Sequence, residues 1–183
     1  MIWDLPTSVT VNNVQHEIRS DYRAVLDILT ALNDPELTDG DKVAVTLTIF
    51  YEDSNFKADE IQEALEKCFD FISRGEKGDG KKSPKLMDWE QDFQYIVAPI
   101  NKAAGTEIRS LPYLHWWTFL GYYYDIGDCL FAQIVSIRHK RKRGQKLDKH
   151  EQEFYRNNVN MIEFRTKYTQ AEDDFINKLI GGK

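Results

Sequence analysis

The sequence predicts a mainly α protein: a multi-helix bundle with a short N-terminal β-hairpin. Three observations carry that prediction. Apolar residues return at helical spacing through most of the chain after Ser20, the pattern of helices with one buried face. Capping side chains stand ahead of those runs, as Thr38 before Asp41, Asp88 before Gln91 and Asp148 before Glu151. The pair Asn12-Asn13 separates two short β-prone runs, and asparagine tolerates the positive φ that a tight hairpin turn requires.

Residues 7–11 and 14–19 supply the strands of the hairpin, which needs helices against it because an isolated hairpin is marginal in water. Ser20 is placed to cap a first helix with Tyr22, Val25, Leu26, Leu29 and Leu32 on one side, ended by Asn33-Asp34-Pro35. Thr38 and Asp41 open a second helix with Val43, Leu47 and Phe50 inward. Residues 43–50 also alternate, so a buried strand competes there. From about Lys57 an acidic amphipathic helix follows, with Ile61, Ala64, Leu65, Cys68, Phe69 and Ile72 as its apolar stripe and Asp59, Glu60, Glu63, Glu66 and Asp70 facing water.

Residues 75–85 have almost nothing to bury and read as a flexible linker. They divide the chain into residues 1–74, a hairpin plus acidic helices, and residues 86–183, a helical region. In the latter, Asp88 with Gln91 caps a helix burying Leu86, Trp89, Phe93, Ile96, Val97 and Ile100, with Pro99 placed to kink or shorten it and Gly105 to close it. Asp148 and Glu151 start a long C-terminal helix. In it Phe154, Met161, Tyr168 and Phe175 recur every seven residues, half of a coiled-coil seam that reads as lying along the protein's own helices.

Residues 111–146 concentrate aromatic side chains and then positive charge. Ser110 is placed to cap a helix starting at Leu111, with Pro112 tolerated in its first turn. His115, Thr118 and Asp125 form a polar stripe with Tyr122 between them, and Leu114, Trp116, Trp117, Phe119, Leu120, Tyr123 and Tyr124 cover the rest. Aromatic side chains bury roughly 150–250 Å² each, so the core or a partner must cover this helix; a central core helix is the plainer reading. Gly127 can end it and Asp128 can cap the next, whose apolar face is Leu130, Phe131, Ile134, Val135 and Ile137. Arg138, Lys140, Arg141, Lys142 and Arg143 crowd its last turns, where cations suit the negative end of the helix dipole, and Gly144 stops it. With Trp116, Trp117 and Tyr123, these five cations are the candidate partner-binding residues.

At 183 residues, 42% apolar and 13% aromatic, the chain suits a globular protein with length enough for a core. No apolar run approaches a membrane span, and Met1-Ile2-Trp3-Asp4 does not open a signal peptide, so the cytosol is the expected location and no membrane partner is expected. Cys68 and Cys129 stand alone, without CxxC spacing, and read as two buried thiols in a reducing compartment, with a disulfide allowed but unforced. The net charge of −6 hides an asymmetry: residues 1–80 hold 7 Lys and Arg against 17 Asp and Glu, while residues 81–183 hold 17 against 13.

Neither a catalytic nor a metal-binding constellation emerges. His16, His115, His139 and His150 are far apart, with no zinc-like spacing. Gly75, Gly80 and Lys81 satisfy GxxxxGK, but Lys82 stands where a magnesium-binding Ser or Thr belongs and the flanking strand is missing, so the match reads as an accident. Asp125 and Asp128 are explained as helix ends rather than an acid–base pair. The expectation is a non-enzyme without cofactor. The basic run 138–146 could neutralise phosphates, yet aromatics precede it instead of interleaving with it. Nucleic acid is therefore not the expected partner, and acidic proteins fit equally.

Met87-Asp88 with Asp92 and Tyr95-Ile96, then Tyr113-Leu114-His115-Trp116-Trp117, Phe119-Leu120-Gly121, Ile126-Gly127-Asp128, and Gly144-Gln145-Lys146-Leu147-Asp148-Lys149 with Glu153-Phe154-Tyr155 resemble the bacteriophage gene-product-fifteen family of long, non-contractile-tailed phages (siphophages) and prophages of Gram-positive bacteria. The resemblance is strongest over residues 86–156 and transfers no catalytic residue. It implies a tail-morphogenesis role in the host bacterial cytoplasm: a tail assembly chaperone whose partners are the tape-measure protein and/or the major tail protein. A structural tail completion or connector protein and a DNA-binding phage protein are the competing classes, and a homo-oligomer is allowed.

Overall fold

The structure is a computed structural model that describes residues 3–76 and 84–165, and the chain divides into two compact units. Pro6–Phe71 makes up the described part of one; Ile72–Arg165, with the segment preceding Pro6, makes up the other. Most of the expected linker, and Tyr168 and Phe175 of the expected heptad pattern, lie outside the described residues. Eight α-helices and one two-stranded hairpin are present among the described residues, the helical bundle with an N-terminal hairpin that the sequence predicts.

In the first unit, β1 (Ser8–Val11) and β2 (Val14–Glu17) pair antiparallel in the register Val11↔Val14 and Ser8↔Glu17. The turn between them puts Asn12 at φ 48° and Asn13 at φ 62°, the double positive φ that makes a two-residue turn match strand twist. Asn12 is also tied down: its amide donates to Glu63 Oε2 (3.0 Å) and its side chain to Glu60 Oε1 (2.9 Å). The hairpin thus sits against α3 (Ile61–Ile72).

Helix α1 (Tyr22–Leu32) packs along α2 (Asp39–Phe50). Residues 43–50 are therefore helix and not strand, and the reason is local: Thr38 and Asp41 form a reciprocal capping box that satisfies first-turn amides. Two details of α1 differ from expectation. Its N-cap is Asp21, whose carboxylate accepts from the Arg23 amide, and its buried face is Tyr22, Val25 and Ile28. Leu26, Leu29 and Leu32 are only half-buried. Arg19 closes the other end of α2, its Nη1 donating to the carbonyls of Thr48, Ile49 and Tyr51 at 2.8, 3.1 and 2.6 Å, so a cation occupies the negative end of that helix. The core is Phe50 and Tyr51, ring edge against ring face, with Phe71 beside Phe50. The Tyr51 hydroxyl donates to Ala64 O at 2.8 Å. Cys68 is fully buried, and burial pushes its thiol up to about 12; Cys129, expected to match it, is half-buried.

The second unit is built on α4 (Trp89–Ala104), which packs against α5 (Trp116–Tyr124) and α6 (Leu130–Lys142). Asp88 accepts from the Gln91 amide as its N-cap, α4 continues through Pro99, and Gly105 at φ 68° ends it in the left-handed region. Helix α5 begins five residues later than Leu111. A proline at the second helical position disfavours helical ψ in the residue before it, and Leu111 is accordingly extended at φ −71°, ψ 137°. The cap is instead His115, whose Nδ1 accepts from the Trp117 amide at 3.0 Å, and Ser110 closes the preceding 3₁₀ turn by donating to Glu107 O. Likewise Cys129, not Asp128, caps α6, its Sγ accepting from the Ala132 amide.

The long C-terminal helix is not continuous. Helix α7 (Lys149–Asn157), opened by the Asp148–Glu151 capping box, stops at Asn158, and α8 is the single turn Val159–Ile162. Asn158 leaves the helical region at φ −133°, ψ 33° while its side-chain amide donates to Phe154 O at 2.8 Å. A short polar side chain competing for backbone partners thus breaks what the seven-residue repeat would have continued. Ile162 then packs with Ile134 and Ile137 of α6, surrounded by Tyr95, Leu147, Phe154, Tyr155 and Met161.

Candidate protein-binding site

The last turns of α6 and its C-cap, Arg143, carry five Lys and Arg side chains, and their environments separate them. Arg138 is not at the surface. On α6 it follows Phe131 by seven residues and Ile134 by four, so it shares the apolar face of its helix; on α4, Asp92 precedes Ile96 by four residues and Ile100 by eight and shares that helix's apolar face. Both side chains are buried, 3% and 0% exposed, and they meet as a bidentate pair with Nη1–Oδ2 2.6 Å and Nη2–Oδ1 2.9 Å. The remaining guanidinium hydrogens go to the carbonyls of Leu86, Met161 and Ile162, and the plane lies over the Phe164 ring at 4.2 Å. Arg138 therefore ties together α4, α6 and the C-terminal end of α8, while Asp92 also accepts from the Asp88 amide at α4's positive end.

Lys140 is half-buried and paired with Glu151 of α7 at 2.5 Å. Arg141 is exposed, lies over the Tyr155 ring at 4.1 Å and reaches Glu163 at 3.0 Å. The Tyr155 hydroxyl donates to the same Glu163 oxygen at 2.8 Å, which raises its pKa. Lys142 and Arg143 are exposed, with no ion-pair partner among the described residues. A cavity of about 380 Å³ opens beside this helix end, lined by Arg138, Arg141, Lys142, Ile162, Glu163 and Phe164.

The aromatic helix is covered mainly by its own unit. Trp116 and Phe119, 2% and 0% exposed, stack at 5.5 Å, and Trp89 of α4 packs against both and against Tyr123. The Trp116 indole donates to Ile72 O at 2.9 Å. The Tyr123 hydroxyl donates to Met87 Sδ, and burial pushes it up to about 12. Trp117 is half-buried beneath the Arg74 guanidinium, whereas Tyr124 at the end of α5 and Tyr113 in the segment before it are exposed.

Of the eight candidate residues, Trp116 and Arg138 are core, Trp117, Tyr123 and Lys140 are half-buried, and Arg141, Lys142 and Arg143 are exposed. The cavity gathers Arg138, Arg141 and Lys142 and none of the three aromatics. Sequence reasoning missed Tyr155, Glu163 and Phe164 as neighbours of the basic turn: Tyr155 comes to it through the packing of α7 against α6, and Glu163 and Phe164 follow the break at Asn158. It also missed the Arg138–Asp92 pair, for which there was a signal: opposite charges each lying on the apolar stripe of an amphipathic helix.

No three His, Cys, Asp or Glu side chains gather in a metal-binding arrangement among the described residues, and no described helix is long and apolar enough to cross a membrane. What the fold presents is a helical protein with a cationic, aromatic-walled cavity at a helix end. The chain belongs to the bacteriophage Gp15 family: the model of the family described as Bacteriophage Gp15 protein matches residues 1–163. That places it among phage structural and morphogenesis proteins, in a family not known as enzymatic. No curated protein and no solved structure matches the chain.

Proposed function

We propose that this is a non-enzymatic tail assembly protein, a chaperone that holds the tape-measure protein and/or the major tail protein while the tail forms in the host cytoplasm. One observation carries the reading beyond family membership. The cationic end of α6 is divided into a buried arginine that fixes the helix and exposed cations, Lys142 and Arg143, that no described carboxylate neutralises. A rigidly held helix presenting unpaired charge is suited to capturing another polypeptide, because little ordering entropy is lost when the partner arrives. A long helical tail protein awaiting assembly is aggregation-prone and needs such a holder. Exposed Tyr113 and Tyr124 add apolar area at the aromatic helix.

Co-expression with the tape-measure and major tail proteins tests this. The expected result is co-purification at physiological salt that declines when Arg141, Lys142 and Arg143 are neutralised together; absence of any tail protein sinks the proposal. Mass spectrometry of purified particles separates a chaperone, absent from finished virions, from a structural component, present in them.

A further inference from the structure

We propose that the cavity beside the last turns of α6 is a docking site for a carboxylate-bearing segment of a partner polypeptide, with Glu163 occupying the carboxylate position in the unbound chain. The inference rests on the reading that this protein holds tail proteins, and it specifies where and by what chemistry.

Three cations face one carboxylate across the cavity. Arg138 is fully engaged by Asp92 and three backbone carbonyls, so it is fixed floor and not a recruitable group. Arg141 and Lys142 are the recruitable ones. Glu163 shows what they accept, since its Oε1 takes hydrogen bonds from both the Arg141 guanidinium and the Tyr155 hydroxyl. The backbone carrying Glu163 is clamped: Gln91, itself buried, donates from Nε2 to Glu163 O at 2.8 Å and accepts at Oε1 from the Arg165 amide at 2.9 Å. Only the Glu163 side chain must therefore turn away to release Arg141. That costs little, because the pair is 42% and 48% exposed and pairs of that kind are weak. Ile162 and Phe164 give the cavity an apolar wall for a residue flanking the incoming carboxylate. A phosphate backbone fits less well, since tight binding to nucleic acid uses many cations along a track, whereas here two are recruitable and a carboxylate stands among them.

The test uses the full-length protein and two fluorescein-labelled peptides, one of repeated Glu-Glu-Phe and one of repeated Gln-Gln-Phe, read by anisotropy at about 150 mM salt. The acidic peptide is expected to bind saturably and the neutral one not. Lys142→Glu, which converts an attraction into a repulsion, should weaken binding about tenfold, and Glu163→Gln should tighten it about threefold by freeing Arg141. Both substitutions are at exposed positions, and circular dichroism checks that each variant is folded. Equal binding of the two peptides, an unchanged affinity in Glu163→Gln, or tighter binding of a DNA duplex of matched charge overturns the assignment. If tail proteins still co-purify with wild type in that event, only the cavity assignment fails; if they do not, the chaperone reading fails with it.

Discussion

Replacing Arg138 by methionine removes a cation from a site that leaves its partner no route to solvent. Asp92 is 0% exposed and would retain only the Asp88 amide at 2.9 Å in place of three donors. Breaking a buried pair by deleting one member costs roughly 3–5 kcal/mol, because the survivor is an uncompensated buried charge. The carbonyls of Leu86, Met161 and Ile162 lose their donor at the same time, so the upper part of that range is expected. The double substitution Arg138→Met with Asp92→Leu removes the stranded charge and should recover most of the loss, because an apolar pair in place of a buried ion pair is often neutral relative to wild type. Arg138→Lys keeps the charge but not the two-pronged contact, and should fall between wild type and methionine. Urea unfolding followed by tryptophan fluorescence is the assay. All four tryptophans, at positions 3, 89, 116 and 117, belong to the unit containing the pair, so the signal reports on that unit. A methionine variant within about 0.5 kcal/mol of wild type, or a double variant no more stable than the single, would refute a central role for the pair.

Further outcomes follow from other places in the fold. Phe119→Ala should cost about 3–5 kcal/mol because that ring is fully buried against Trp89 and Trp116, whereas Tyr124→Ser, at a side chain 63% exposed, should stay within about 0.5 kcal/mol; equal effects in urea melts would contradict the description of α5. Thr46 Oγ1 is buried without a hydrogen-bond partner among the described residues, so Thr46→Val should be neutral or stabilising by about 1 kcal/mol, and a loss would show that the hydroxyl is satisfied. Hydrogen bonds from the Arg109 side chain and amide, with the Arg109 charge and Asn101 adding to them, lower Glu107 from an ordinary 4.5 to about 2. A depressed carboxylate stabilises the fold above its unfolded pKa and loses that contribution as pH falls from about 4.5 toward about 2. Glu107→Gln should flatten the acid limb of stability against pH over that window; an unchanged limb would remove Glu107 from the account.

Interactions closed within a few residues were legible in the sequence. The Thr38–Asp41 and Asp148–Glu151 capping boxes, the Asp88 cap, the Asn12-Asn13 turn and the Gly105 and Gly144 stops all formed where their residue types demanded. Each depends on backbone groups at most a turn away, so no tertiary information was needed. The family was legible as well, because its residues are spread along residues that need not be placed in space to be matched. Helix starts were less so: Ser110 and Asp128 have the right chemistry for caps, yet His115 and Cys129 cap instead.

The candidate site belongs to the other category. That Arg138 is floor and Lys142 is rim was decided by Asp92, 46 residues earlier in the chain, and by the turn at Asn158 that brings Glu163 and Phe164 back to α6. In sequence the five cations are one run of like charge. Burial distinguishes them, and burial is a property of what lies across the interface. The sequence by itself thus determined the existence of most of the helices, their capping boxes, the hairpin and the kinship. Only the packing of α4, α6 and α8 decided which charge is spent inside and which remains outside, since a charge enters the interior only where a distant partner cancels it.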